Sequence, residues 1–266
     1  SEVGGDAISV KSLSKAAENP HYVDPRPSLV VVVAQADLLI LNGMELEIGW
    51  LPPILVNARN AAVQLGGSGY LDASKHVHRM EVPVSVDRAL GDVHPGGNPH
   101  FTFDARAGAT LAKVIGERLA RLDPERATLF KANAKRVADE LETIATSESV
   151  RFKALGPDKL RVVTYHRSLV YLLDWLGIER PINVEPKPGV APSPSHVARV
   201  LATMRAQKIR IILQERFYPT HTSETLGRMT AAEVVVIPGG ANFRAGETYT
   251  QRIRRTTEAL YAALSR

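Results

Sequence analysis

Short apolar segments alternate with amphipathic segments through the second half of the chain. Strands are predicted over residues 160–165, 209–213 and 234–237, and helical spacing of apolar residues follows each of them. Strands that alternate with helices favour a parallel sheet, because two parallel strands need a crossover connection between them. The sequence therefore predicts an α/β fold for this half.

The first half contains similar elements in shorter pieces. Strands are predicted at 8–10 and 37–41, and helices at 29–35 and 47–60. Residues 64–100 are rich in glycine, proline and polar side chains. Connections in compact domains are usually much shorter, so this stretch is predicted to be a functional loop or lid.

Two long helices are predicted in the middle of the chain, over 105–122 and 124–146. Asp104 precedes the first helix and is interpreted as its cap. Asp123 and Pro124 have the residue types that open a helix, with aspartate as N-cap and proline at the first position. The second helix would be about 36 Å long, which is enough to run through two lobes as a stiff spine.

The sequence Asn-Pro-His followed by an aromatic residue occurs twice, at 19–22 and 98–101. Proline fixes its own φ and keeps the residue before it out of the helical region. The asparagine side chain can close such a turn. His21 and His100 therefore each follow a stiff turn, and this match indicates that both are presented to one site.

Three further features lie at the carboxyl ends of predicted strands: His166, Glu215 and the Pro-Gly-Gly sequence at 238–240. Ligands of open α/β sheets bind outside these ends. Any one histidine would be interpreted as an ordinary surface residue, but His21, His100 and His166 together indicate a shared metal site between two lobes. Glu215 is the candidate for a fourth ligand or for the carboxylate that orients a histidine. A purely structural carboxylate is the equal alternative.

The chain has no cysteine, which excludes disulfides, thiolate catalysis and thiolate zinc sites. A nitrogen-rich ligand set favours zinc over manganese, which prefers oxygen. A His-x-His pair at His76 and His78, with His94 nearby, can capture metal weakly, although a polar loop that contains histidine by chance is the preferred interpretation. His196 and His221 are predicted to be surface residues.

Charge and hydropathy argue against two other classes of protein. The net charge is +5, but lysine and arginine are interleaved with acidic residues and only 6% of residues are aromatic. A base-stacking surface for nucleic acid is therefore not expected. No apolar run reaches about 18 residues, so no transmembrane helix is predicted. No secretory signal is visible in the chain.

In combination, these motifs resemble those of the metal-binding solute-binding proteins of zinc and manganese ABC transporters, the cluster A-I type, with the zinc-type members as the better match. The similarity covers nearly the whole chain. It is carried by the His motif with its acid-Pro-x-Pro-Ser run at 21–28, Ala-Asp-Leu at 36–38, Asn-Gly-Met-Glu-Leu-Glu at 42–47, the second His motif at 97–104, Val-Thr-Tyr-His at 163–166 with Tyr171 downstream, and the Pro-Ser-Pro helix start at 192–196.

The resemblance implies two α/β lobes, each with a small parallel sheet flanked by helices, joined by one long helix. The predicted ranges are 1–122 for the N-terminal metal-binding lobe, 123–148 for the linking helix and 149–266 for the C-terminal metal-binding lobe. It also implies high-affinity capture of zinc in the interlobe cleft and delivery to a membrane permease, with a periplasmic metal chaperone as a further candidate partner. A periplasmic or lipid-anchored, monomeric carrier that is not an enzyme is expected.

The sequence departs from the family pattern at one ligand position. Family members often carry an aspartate after the last strand, whereas 236–240 contain no acidic residue. Water, Glu215 or a loop histidine is left for the fourth position. Manganese-type members commonly have a carboxylate as third ligand, so His166 at that position favours zinc.

Three alternatives stay open at this point. A carrier for manganese or another divalent metal is the nearest. A zinc-dependent hydrolase would use three histidines and an open position to activate water, but no second carboxylate or histidine has a clear general-base setting. A basic nucleic-acid-binding module would have to show a steep loss of affinity with salt.

Overall fold

The computed structural model describes residues 1–15, 17–84, 94–240, 242 and 245–266. These residues form eight α-helices and five β-strands. The helices are α1 Pro27–Ala34, α2 Leu51–Ala58, α3 Ala105–Leu122, α4 Ala127–Lys153, α5 Val170–Leu176, α6 Pro194–Ala206, α7 His221–Thr230 and α8 Tyr249–Ser265. The strands are β1 Leu39–Leu41, β2 Tyr70–Asp72, β3 Val163–Thr164, β4 Ile211–Glu215 and β5 Glu233–Ile237. Within the described ranges, no helix has the length and apolar composition needed to cross a membrane.

The strands form two parallel sheets, one in each lobe. The first lobe contains β1 paired with β2, and the second contains β3, β4 and β5 in that order. All five residues of β4 are buried, since a central parallel strand is covered by neighbours and by helices on both faces. The predicted α/β class with two lobes is confirmed.

Three predicted elements of the first half are wrong in extent or type. Residues 8–10 carry no strand, although all three are described. The stretch 64–100 is not one long loop, because it contains β2 and a 3-10 turn at Ala73–His76, and its residues 85–93 lie outside the described part of the chain. The helix predicted at 47–60 begins only at Leu51, because the residues before it form turns.

The helix α4 joins the lobes and lies in one continuous core. It has 27 residues, about 40 Å at 1.5 Å per residue, and continues seven residues past its predicted end at 146. Its buried face, including Phe130 and Leu141, packs in the same cluster as Phe103 of the first half and Leu172 and Ile253 of the second. The lobe limits 1–122, 123–148 and 149–266 stay a prediction.

The first residues of the chain are bonded to the last helix. The Glu2 carboxylate accepts hydrogen bonds from the backbone N–H groups of Tyr249, at 3.0 Å, and Thr250, at 3.4 Å, in the first turn of α8. Val3 is buried in the core that contains α4. A negative charge at a helix N-terminus is favourable, so the N-terminal segment stabilises the start of α8.

The close approach of α3 and α4 depends on Gly116. A Cβ at this position would lie 2.4 Å from the Ala134 Cβ and 3.2 Å from the Phe130 carbonyl oxygen. We expect Gly116→Ala to lower the free energy of unfolding by about 1–3 kcal/mol, because overpacking outweighs the better helix propensity of alanine. Urea unfolding measures this loss. The double variant G116A/A134G removes the opposing Cβ and should recover part of it, whereas wild-type stability of G116A alone would contradict the packing described here.

Candidate metal centre

Three histidines meet between the lobes: His21, His100 and His166. One ring nitrogen of each lies within 4.8 Å of the corresponding atoms of the other two. The Nε2 atoms of His21 and His100 are 3.2 Å apart. The centre of the His166 ring lies 6.2 Å from the centre of the His21 ring and 5.6 Å from that of the His100 ring. Two nitrogens on one tetrahedral zinc, with bonds of about 2.0–2.1 Å, would be separated by about 3.3 Å. The structure thus brings together the three histidines singled out from the sequence.

Both Asn-Pro-His turns are closed in the same way. The Asn19 side-chain oxygen accepts a hydrogen bond from the His21 backbone N–H at 3.1 Å. The Asn98 side-chain oxygen does the same for His100 at 3.0 Å. Each asparagine therefore fixes the backbone of the histidine two residues later, as the sequence predicts.

A single segment, residues 42–50, holds both turns from outside. The Asn42 amide donates to the Pro99 carbonyl at 2.6 Å, and the Trp50 indole N–H donates to the Pro20 carbonyl at 2.9 Å. Each bond ends on the proline that precedes a histidine of the group. The segment 42–50 is therefore a common support for His21 and His100.

The start of this segment is a strained turn. The φ values are 87° at Gly43, 51° at Met44 and 62° at Glu45. For the two non-glycine residues, this left-handed conformation costs about 1–3 kcal/mol each. The Glu47 carboxylate accepts from the backbone N–H groups of Asn42, at 2.6 Å, and Gly43, at 3.1 Å. Burial raises the pKa of Glu47, and these two backbone bonds oppose the rise. The turn is thus held by a half-buried carboxyl group directly beside the bond from Asn42 to Pro99.

His166 is oriented through its ring. It follows β3, and its Nδ1 contacts the carboxylate of Glu185, which is buried with it. Gly189 donates its backbone N–H to the other Glu185 oxygen at 2.9 Å. Because Nδ1 is occupied by the carboxylate, Nε2 is the nitrogen that faces a ligand, as in carboxylate–histidine–metal arrangements.

Sequence reasoning missed Glu185 as a site residue. Its backbone N–H bonds the Tyr165 carbonyl at 2.9 Å, and the N–H of Val184 bonds Thr164 at 2.8 Å, so the segment runs along β3 and delivers the carboxylate beside His166. The signal available in the sequence is the short run Ile182-Asn183-Val184 directly before Glu185. A run of that length does not define a strand on its own.

Glu215 ends β4 as predicted, but it lies outside the three-histidine group. Its side chain is fully buried, and burial raises the pKa of the carboxyl group against the opposing influence of Ser168 and His166. The carboxylate that contacts the His166 ring is that of Glu185, and the orienting role suggested for Glu215 stays a prediction. A role for Glu215 as fourth ligand stays a prediction.

The other histidines divide into three settings. The half-buried His94 has its ring centre 5.0 Å from that of His21, whereas His76 and His78 are exposed. His196 is not the predicted surface residue: it is buried, and its Nε2 is 2.9 Å from the Asn183 carbonyl oxygen. His221 is exposed, as predicted, and it begins α7.

Burial controls the charge of the group at His100. Its side chain is 6% exposed. Burial lowers the pKa of His100 well below 6.5, and the neighbouring His21, His166 and His94 lower it further. His100 is therefore kept in the neutral form, which is the form that coordinates a metal.

A cavity of about 530 Å³ opens beside His21. Tyr22, Asp24, Glu45 and His94 are among the residues that line it. His21 is only partly buried, whereas His100 and His166 are buried. This cavity therefore reaches the centre at His21, and a second, smaller cavity is lined by His100 and His166.

Comparison with known proteins gives one family. The chain matches, over residues 1–263, the family model described as zinc-uptake complex component A, periplasmic. The manganese ABC transporter substrate-binding lipoprotein PsaA of Streptococcus mitis is 22% identical over 231 residues, which are 86% of this chain and 72% of that protein. A putative metal-binding protein of Treponema pallidum is 23% identical over 275 residues, covering 99% and 83% of the two chains.

Solved structures share the fold. A crystal structure of ZnuA superposes with a TM-score of 0.81 at 19% identity, covering 99% of this chain and 93% of that one. FpvC from Pseudomonas aeruginosa, in complex with Mn²⁺, has a TM-score of 0.80 at 24% identity, with 99% and 92% covered. These likenesses support the two-lobe architecture.

The neutral His100 makes the metal-free protein sensitive to acid. The unfolded chain takes up a proton on this residue near pH 6.5, and the folded chain does so only at lower pH. Stability from this group is therefore complete above the unfolded pKa. Below it, the free energy of unfolding should fall by at most about 1.4 kcal/mol per pH unit, until the folded pKa is reached.

Urea unfolding of metal-free protein between about pH 7.5 and pH 5 measures this slope. His100→Gln should reduce the slope of the free energy of unfolding against pH by up to about 1.4 kcal/mol per pH unit, which corresponds to one proton. His78→Gln, at an exposed position, is the matched control. An unchanged slope in His100→Gln would contradict the assignment.

Proposed function

Because this chain belongs to the family of the periplasmic component A of zinc-uptake complexes, we propose that it carries one zinc ion on His21, His100 and His166. The chain is a metal-binding component of an ABC transporter and not an enzyme, in keeping with its family and named relatives. The observation that carries the assignment of the site is the approach of three ring nitrogens to within 4.8 Å, at the meeting of two lobes.

The choice of zinc rests on the chemistry of the ligand atoms. The named relatives include manganese proteins, so kinship alone does not select the ion. All members of the three-residue group are imidazoles, and nitrogen ligands favour zinc, whereas manganese prefers oxygen. Glu215, a water molecule or His94 is the candidate for the fourth position.

The proposed ion would join the two lobes. His21 and His100 belong to the predicted N-terminal lobe, 1–122, and His166 to the predicted C-terminal lobe, 149–266. Because α4 spans both lobes and has no glycine or proline along its length, closure on the ion would be a small tilt rather than a wide hinge motion. We place this carrier outside the cytoplasm as a monomer that delivers zinc to a membrane permease.

Metal titration tests the ligand set. Metal-free wild type should bind one zinc ion tightly and prefer zinc to manganese in competition with a chromogenic chelator. His100→Ala and His166→Ala should each lose at least about 100-fold in zinc affinity, because each removes a direct ligand. His78→Ala, an exposed histidine outside the group, is the control and should bind as wild type does. Unchanged zinc affinity in His100→Ala would refute the proposed site, and preference for manganese would refute the choice of ion.

The contact between Glu185 and His166 makes a graded prediction. Glu185→Gln keeps the size of the side chain but removes the charge that orients and polarises the imidazole, so zinc affinity should fall by about 10–100-fold. Glu179→Gln is the matched control, since that carboxylate pairs with Arg161 at 2.8 Å away from the group. Equal zinc affinities of the two variants, measured by the same titration, would remove Glu185 from the site.

A further inference from the structure

Glu81 lies at a junction between the lobes, beside the three histidines. One carboxylate oxygen accepts from Arg167 Nη2 at 2.8 Å and from Arg180 Nη2 at 3.1 Å. The other oxygen accepts from the Asn98 side-chain amide at 3.0 Å. Both oxygens are thus engaged by protein, so Glu81 is not placed to act as a metal ligand.

The partners of Glu81 reach both sides of the metal centre. Asn98 holds the backbone N–H of His100 with its side-chain oxygen. Its amide nitrogen also donates to the backbone carbonyl of Arg167 at 2.9 Å, and Arg167 directly follows His166. One asparagine therefore links a first-lobe histidine to a second-lobe histidine, and Glu81 holds that asparagine.

A second set of bonds fixes the backbone next to Glu81. The Met80 N–H donates to the Tyr171 hydroxyl at 3.0 Å, and that hydroxyl donates to the Asn98 carbonyl at 2.8 Å. The Asn98 N–H returns to the Met80 carbonyl at 2.8 Å. Because Tyr171 lies on α5, residues 80 and 81 are held between the Asn-Pro-His turn and the second lobe.

The backbone of Glu81 is strained. Its φ is 53°, in the left-handed region, which costs a non-glycine residue about 1–3 kcal/mol. Such a conformation persists only where the surroundings over-determine it, and here three side chains do so. The strain indicates that this residue is held in place by the interlobe contacts rather than by its own preference.

The electrostatics also set Glu81 apart. Its side chain is 20% exposed and that of Arg180 is 15% exposed, whereas both side chains of the Arg106–Asp174 pair are 49% exposed. Burial acts to raise the pKa of Glu81, but Arg167, Asn98 and Arg180 together outweigh it and leave this pKa lowered. Loss of the charge on one side of such a pair leaves the other charge buried without compensation.

We propose that Glu81 is a latch, a positioning residue that ties residues 80–81 and Asn98 to the second lobe and so slows the release of metal from the three histidines. The inference rests on the proposed function. An ion held by both lobes leaves only when His100 and His166 separate, and the latch bonds resist that separation. Removing a buried charge partner across such a junction acts mainly on the rate of dissociation.

Release kinetics test the latch. Zinc-loaded protein is mixed rapidly with excess chelator, and the release rate is followed by the colour of the zinc–chelator complex. Glu81→Gln should raise the release rate at least about tenfold, which corresponds to about 1.4 kcal/mol. Glu140→Gln is the matched control, because Glu140 pairs with Arg254 at 3.2 Å between α4 and α8, and its rate should stay within about twofold of wild type.

A double variant shows whether Glu81 acts through its arginine. If the two residues form one latch, E81Q combined with Arg180→Gln should release zinc no faster than the faster single variant, because the effects of coupled residues do not add. If Glu81→Gln fails to fold, Arg167→Gln removes the more exposed partner and carries the same expectation for the release rate.

A second readout is independent of metal. In metal-free protein, the amide hydrogens of Asn98 and Met80 should exchange faster in Glu81→Gln than in Glu140→Gln, since the latch bonds are weakened. Tight zinc binding with a wild-type release rate in Glu81→Gln would overturn the latch and leave the proposed function standing. Absence of tight zinc binding by wild type would overturn the proposed function and the latch with it, whatever the amide exchange shows.

Discussion

Three imidazole rings cannot share so small a space while all of them carry charge, and this electrostatic constraint governs the centre. The protein meets it by burial: His100 is removed from water and is surrounded by other histidines, so protonation is disfavoured. A divalent cation can then bring positive charge to the neutral imidazoles in place of the protons. The same burial that costs solvation of each imidazole thus selects for an ion that binds several nitrogens at once.

The two lobes hold their histidines by different means. His21 and His100 are fixed through the backbone, by the asparagines at 19 and 98 and by the segment 42–50. His166 is fixed through its ring, by Glu185. The nitrogens of the first-lobe pair are consequently held 3.2 Å apart, and the second lobe adds an imidazole whose ring is oriented by a carboxylate. A division of this kind allows an ion to be met first by one lobe and then enclosed by the other.

The sequence predicts those parts of the fold and the site that depend on neighbouring residues, and it does not predict those that depend on contacts between distant residues. The Asn-Pro-His turns and the strand end at His166 are local patterns, and they identified the three histidines that the structure brings together. Glu185 depends on a segment that is extended only because it pairs with β3, so no local pattern marks it. The strand β2 has only three residues, so it is too short to show the alternation of apolar and polar residues that predicts a strand. The late start of α2 follows from the turn at 43–45. The prediction that His196 is a surface residue is wrong because its ring contacts the carbonyl group of Asn183, which is distant in the sequence.

The bond between Glu2 and α8 has a consequence for the order of events during synthesis. Glu2 caps a helix that begins at residue 249, so the ribosome synthesises the two partners 247 residues apart. Val3 likewise packs in a core cluster with Ile253 and Leu260, which are synthesised much later. Contacts of such separation form slowly, since the entropy of closing the intervening chain is lost before they contribute. A nascent chain that lacks α8 would therefore leave Glu2 and Val3 without these partners.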